Sequence, residues 1–254
     1  MVRIVVFDSG LGSLSIIKAI QKISKSEIIY FADQENYPYG KKTEDQLSKI
    51  IQKSIITLKK EFSPDIIVMA SNTPSLMLDL VNSEIVDVKP PIKAAQKISK
   101  SKQIGILATR STINSIGLDR HIVQNNLCKD FKIFKINGSE LVDLVESGKF
   151  ITNKEYCEKI IKQVLDEVLS QNSIDVITLS STHLPFLKLL LKKQYSKINF
   201  VDPANIIAKK VFLKIKKNQS KKNSLKIFAS GDTKLFQTKL NRIGISNKVK
   251  FLSI

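Results

Sequence analysis

Short, nearly unbroken apolar runs alternate along the chain with longer segments in which apolar residues return every three or four positions. The runs are RIVVFD (3–8), EIIYFAD (27–33), DIIVMAS (65–71), QIGILAT (103–109), FKIFKI (131–136), DVITLSS (175–181), INFVDP (198–203) and LKIFAS (225–230). They are rich in Ile and Val and scarcely alternate in polarity, which predicts strands covered on both faces. In LSKIIQKSIITLKKEF (47–62) the residues Leu47, Ile50, Ile51, Ile55, Leu58 and Phe62 form one stripe and lysines occupy the other side, the pattern of an amphipathic helix. TNKEYCEKIIKQVLDEVL (152–169) offers Thr152 and, three residues on, Glu155 as a capping box, then Ile160, Ile161, Val164, Leu165 and Val168 on one face. Strands alternating with such helices predict an α/β protein with mostly parallel sheets.

The alternation occurs twice. The run ending at Asp8 has its counterpart in the run reaching Thr109, and the run ending at Ser71 in the run ending at Ser181. This predicts two similar α/β domains, residues 1–97 with 206–254 and residues 98–205, because the final strand and helix are too short to fold alone and return to the first half. In parallel sheets ligands bind beyond the carboxyl ends of strands. Polar clusters fall there: Asp8-Ser9, Ser71-Asn72-Thr73, Thr109 to Thr112, and Ser181-Thr182-His183. Any one of them could be a capping turn; four together point to a shared ligand cleft between two facing halves.

Composition narrows the function classes. The chain has 254 residues, 43% hydrophobic and 25% charged, as in an ordinary globular protein. No apolar run reaches the length of a membrane helix and the N-terminus enters a strand directly, so the expected location is the cytoplasm and no membrane partner is expected. Cys128 and Cys157 lack metal-ligand spacing, and Cys157 falls on the apolar side of its helix as a small hydrophobe. No metal is expected. The net charge of +18 invites a nucleic-acid reading. Lysines are spread along the whole chain, however, with only four arginines, and the dense stretch 209–224 has few aromatics for stacking, so nucleic acid is disfavoured as a partner. Gly10-Leu11-Gly12 has Ser15 where a dinucleotide loop needs its third glycine.

An ordered set of motifs, VFDSGLGSLSIIKAI (6–20), YFADQENYPYGKKTEDQL (30–47), VMASNTPSL (68–76), VKPPIKAA (88–95), IGILATRSTINSIGL (104–118), LVDLVESGK (141–149), LSSTHLPFLKLLL (179–191), FVDPANIIA (200–208) and FASGDTKLF (228–236), resembles glutamate racemase within the aspartate/glutamate racemase superfamily. The resemblance spans nearly the whole chain. It implies two α/β domains related by a pseudo-two-fold, a substrate cleft between them, no cofactor and commonly a homodimer. It also implies interconversion of L- and D-glutamate by one thiolate and one thiol on opposite faces of Cα, a reaction that in bacteria feeds peptidoglycan. The two cysteines would stand at Ser71 and Ser181, and both are missing. The resemblance assigns Asp8 and His183 to tuning the two catalytic positions, with Glu146 beside His183. It places Ser9, Pro38, Tyr39, Gly40, Asn72, Thr73, Thr109, Thr112 and Thr182 around an acidic amino acid, glutamate or aspartate. Ser180 and Ser13 stand where the family usually or often has glycine, which favours natural divergence.

Serine changes the chemistry. A thiol of pKa about 8.5 gives thiolate readily, whereas a hydroxyl lies near that of water, roughly 15. The gap costs about 8 to 10 kcal/mol in forming the anion. The chain as written is therefore expected to be an impaired racemase. Two other readings stay open: a non-racemising binder of acidic amino acids, and serine-dependent lyase or hydrolase chemistry with His183 as base and Asp8 as polar partner.

Overall fold

The computed structural model describes residues 2–78, 84–125, 130–215 and 220–254; Cys128 and the middle of the lysine-rich stretch lie outside them. Among these residues the chain runs β1 (Arg3–Asp8), α1 (Ser13–Ile23), β2 (Glu27–Ala32), α2 (Glu44–Phe62), β3 (Ile66–Met69), α3 (Asn72–Met77), β4 (Ile85–Asp87), α4 (Ile92–Ile98), β5 (Gln103–Ala108), α5 (Arg110–Ile113), α6 (Ile116–Gln124) and β6 (Lys132–Asn137). It continues through α7 (Ser139–Glu146), α8 (Lys149–Thr152), α9 (Lys154–Ser170), β7 (Val176–Leu179), α10 (Lys188–Gln194), β8 (Asn199–Val201), α11 (Ala204–Ile215), β9 (Ser224–Ala229), α12 (Thr233–Arg242) and β10 (Val249–Phe251). All eight expected runs contain a strand. The short strands β4 and β10 carry no run long enough to be seen in the sequence, and both lie at the edges of their sheet.

The chain divides into two compact units, Met1–Val88 with Ala204–Ile254, and Lys89–Pro203. The sheet of the first has the order β10-β9-β2-β1-β3-β4, that of the second β6-β5-β7-β8, and every pairing is parallel. Residues 89–97, expected with the first half, fall in the second unit, because α4 packs on β7. The central strands β1, β3, β5 and β7 are buried along almost their whole length, as two covered faces require. The first unit packs Leu47, Ile51 and Leu58 of α2 against Val5, Phe7, Ile29 and Phe31 of its sheet. The second packs Cys157, Ile161 and Leu165 of α9 on Leu107, Ile177 and Leu179. Burial pushes the Cys157 thiol up from its ordinary pKa, in keeping with a packing residue.

Helix starts follow local chemistry. A capping box opens α2, where Thr43 Oγ1 accepts the Gln46 N–H at 3.3 Å and Gln46 Oε1 accepts the Thr43 N–H at 3.0 Å. The box expected at Thr152 and Glu155 does not form. Thr152 closes α8, and Asn153 caps α9 by accepting the Tyr156 N–H at 3.0 Å. The cause is the turn at Gly148, whose φ of 77° starts a short helix that consumes Thr152. His121 is half-buried on α6, with Nε2 3.0 Å from the Pro90 carbonyl.

Candidate active site

Each sheet reverses its strand order beside one central strand: β1 lies between β2 and β3, and β5 between β6 and β7. A parallel sheet opens a crevice at the carboxyl end of such a reversal, since the connections leave toward opposite faces. The two reversals match bond for bond. The Ala70 N–H donates to Phe7 O at 2.8 Å and the Ser180 N–H to Leu107 O at 2.8 Å; the Asp33 N–H donates to Asp8 O at 2.8 Å and the Gly138 N–H to Ala108 O at 2.7 Å. Ser71 thus corresponds to Ser181. Asp8 corresponds to Ala108, one residue away from the expected Thr109, so the first unit has a carboxylate where the second has a methyl group.

In the first unit the ends of β1 and β3 bring together Asp8, Ser9, Ser71, Asn72 and Thr73, all at least nine-tenths buried. Asp8 Oδ1 accepts the Ser9 N–H at 2.7 Å. Ser71 precedes α3, but its hydroxyl does not cap that helix. Both polar atoms of the Asn72 amide are buried and lack a hydrogen-bond partner among the described residues. Burying such a group unpaired costs about 1–3 kcal/mol, so its presence points to a polar ligand. The Ser13 hydroxyl is also buried and unpaired among the described residues.

The loop after β2 brings Pro38, Tyr39 and Gly40 to the same strand ends. Its anchor, missed in the sequence, is Asp33. This fully buried carboxylate accepts from Tyr39 Oη at 3.0 Å, Ser230 Oγ at 2.9 Å and Asn36 Nδ2 at 2.9 Å. Its one sequence signal was an acidic residue ending an otherwise apolar run. Burial, then the charges of Asp33 and Asp8 and the bond to Asp33, hold the Tyr39 phenol well above its ordinary pKa, so it stays protonated and donates. Tyr30 Oη likewise donates to Gly10 O at 2.6 Å and fixes the turn after β1.

The second unit gathers Thr112, Ser181, Thr182, His183 and Glu146, all buried, with Thr109 half-buried. The Thr109 and Thr112 hydroxyls are 3.0 Å apart. Ser180 is absorbed locally, its hydroxyl 2.9 Å from that of Thr178. Ser181 Oγ lies 3.5 Å from His183 Nδ1, and His183 Nε2 lies 2.7 Å from Glu146 Oε1 at the end of α7. The carboxylate that holds His183 is therefore Glu146, supplied within the same unit. Among the described residues no group of three His, Cys, Asp or Glu side chains could hold a metal ion, and no helix is long and apolar enough to cross a membrane.

No family model matches the chain. It is 34% identical over 227 residues to the glutamate racemase of Buchnera aphidicola subsp. Schizaphis graminum, covering 87% of this chain and 88% of that protein. Glutamate racemase isoform RacE1 from Bacillus anthracis superposes with a TM-score of 0.86 at 24% identity, over 100% of this chain and 98% of that one. Escherichia coli glutamate racemase, solved with L-glutamate and the activator UDP-MurNAc-Ala, superposes with a TM-score of 0.85 at 22% identity, over 99% and 98%.

Proposed function

Because the chain belongs to the glutamate racemase family, we propose that it binds glutamate and that Ser71 and Ser181 hold the positions of the two proton carriers. The Asn72 amide carries the reading. Its donor and acceptor are both unused by the described residues, directly after Ser71, and an amino acid offers carboxylate acceptors and ammonium donors to match them. Ser9, Thr73, Pro38, Tyr39 and Gly40 are the other ligand residues proposed in the first unit, and Thr109, Thr112 and Thr182 those proposed in the second. Asp8 tunes Ser71, and Glu146 orients His183 toward Ser181. No cofactor takes part. Glutamate fits the family and the E. coli neighbour's ligand; aspartate is the competing acidic amino acid. The setting we propose is the family's own, a cytoplasmic homodimer whose product enters peptidoglycan.

With hydroxyls in place of thiols, racemisation by this chain is slow. The test is chiral analysis of glutamate incubated with the protein and with the Ser71→Cys plus Ser181→Cys variant. The double variant should racemise glutamate at least about 10³-fold faster, as the difference in anion cost predicts. An inactive double variant that binds glutamate would mean a remodelled pocket and a binding role.

A further inference from the structure

Serine is a poor base but, with a base behind it, an effective nucleophile. In the second unit Ser181 has such a base. Its Oγ lies 3.5 Å from His183 Nδ1, within the looser range of nucleophile–base pairs before substrate binds, and His183 Nε2 lies 2.7 Å from Glu146 Oε1. The carboxylate accepts the Nε2–H, which leaves the Nδ1 lone pair of the neutral ring facing the hydroxyl. The three residues stand on two firmly packed pieces of one unit. Ser181 and His183 share a turn closed by the Leu184 N–H on Ser181 O and the Phe186 N–H on His183 O, both at 3.1 Å, and Leu184 and Leu187 anchor that turn in the core. Glu146 ends α7, whose Leu141, Leu144 and Val145 belong to the same core. Leu107 pairs with Leu179, so Thr109 and Ser181, each two residues further on, leave neighbouring strands at the same end of one sheet. The Thr109 and Thr112 hydroxyls, 3.0 Å apart, add donors there.

We propose that Ser181, His183 and Glu146 form a nucleophilic triad that hydrolyses small activated carboxylic esters, an activity separate from racemisation. It uses second-unit residues alone and needs no glutamate, so it stands or falls apart from the reading above. Ser181 Oγ bonds the acyl carbon as its proton passes to His183 Nδ1, and an imidazolium forms beside Glu146. No free alkoxide appears, so the cost that weighs against serine in removing a Cα proton does not arise. The bond from the acyl carbon to the leaving oxygen then breaks, and the alcohol departs with the proton from Nδ1. Water attacks the acyl carbon of acyl-Ser181 and gives a proton to Nδ1; Ser181 Oγ leaves, takes that proton back, and the carboxylic acid is released. One ester and one water become one acid and one alcohol, with no other reactant. Thr109 and Thr112 offer their hydroxyls to the acyl oxygen as charge builds on it. Ser181, His183 and Glu146 are 7%, 5% and 6% exposed, which restricts the acyl group to a small one.

The experiment uses p-nitrophenyl acetate with the full chain, read as p-nitrophenolate release and as acetyl groups located by peptide mass spectrometry. Surface lysines take acetyl groups in every variant, so the difference from Ser181→Ala reports Ser181. The unaltered chain should carry acetyl on Ser181 during turnover and release p-nitrophenolate faster than Ser181→Ala. His183→Gln should slow the Ser181-dependent rate by about 100-fold or more, the usual share of a positioned base. Glu146 acts through His183 as a positioning residue. Glu146→Gln should slow the rate and lower the pH at which it reaches half its limit, because the imidazolium loses its carboxylate; damage to packing alone would slow the rate without moving that pH. Thermal melts check that the variants fold, and Ser181→Cys should be acetylated with or without His183, which shows that the reagent reaches the position. Acetylation of Ser181→Cys but not of Ser181 would overturn the proposal, since the hydroxyl is then reached and not activated. So would acetylation of neither, or acetylation of Ser181 at an unchanged rate in His183→Gln.

Discussion

Asn72 separates folding from function at the scale of one side chain. No described residue hydrogen-bonds its amide, so truncation deletes an uncompensated buried polar group and breaks no hydrogen bond. Asn72→Ala should therefore leave the melting temperature unchanged or raise it, while weakening glutamate binding about tenfold or more, measured by thermal melts with and without glutamate. A clear fall in melting temperature without ligand would make Asn72 a structural residue. The opposite holds for Asp33, which three side chains bond. Asp33→Asn keeps the shape but removes the charged acceptor, and it should cost about 1.5–3 kcal/mol, the range for hydrogen bonds to a charged group. Sequence reading found Asn72 and missed Asp33 for a physical reason. A ligand residue sits in a polar cluster at a strand end, whereas an anchor's partners, here Ser230 from far along the chain, become neighbours only when β9 docks beside β2.

At the scale of elements, the start of α9 gives the sharpest test. Asn153 accepts the Tyr156 N–H and Thr152 belongs to the preceding short helix. Asn153→Ala should cost about 1 kcal/mol, read as a lower urea midpoint, and Thr152→Ala much less; the reverse ranking would restore the capping box that the sequence proposes. The stripe of α2 and the eight apolar runs were legible because hydrophobic period is local, and the structure buries Leu47, Ile51 and Leu58 where that period puts them. The cap was not legible, because two adjacent residues, Thr152 and Asn153, are both good caps and the choice between them is made by the turn at Gly148. The second-unit relay shows the same limit. Ser181 and His183 are two residues apart and visible together, but Glu146 comes from a different helix, and the family resemblance, not spacing, drew attention to it.

For the molecule as a whole, stability against acid has two sources that salt can tell apart. The chain carries +18 at pH 7, and protonating carboxylates raises that charge, so self-repulsion grows as pH falls. The second source is a pair of hydrogen-bonded carboxylates, Glu27 buried and Asp175 half-buried. Bonds from Lys226 and Arg3 outweigh the desolvation of Glu27 and hold its carboxyl below its ordinary pKa, tying β1, β2 and β9. At Asp175 burial alone would push the carboxyl up, but bonds from Ser99, Ser101 and the Lys100 and Ser101 N–H groups win, and it too sits low. A depressed carboxyl adds stability that is complete above its unfolded pKa, about 4, and is lost as pH falls through the folded value. The denaturant midpoint should therefore fall between about pH 5 and pH 3. The Glu27→Gln plus Asp175→Asn variant should start lower and fall less steeply. High salt, which screens charges separated by more than about 3 Å at 1 M, should remove the repulsive part in both proteins and leave their difference in slope intact, because close hydrogen-bonded pairs are screened least. Equal slopes in the two proteins at high salt would mean that repulsion alone sets the acid limb and that the two hydrogen-bonded carboxylates contribute nothing to it.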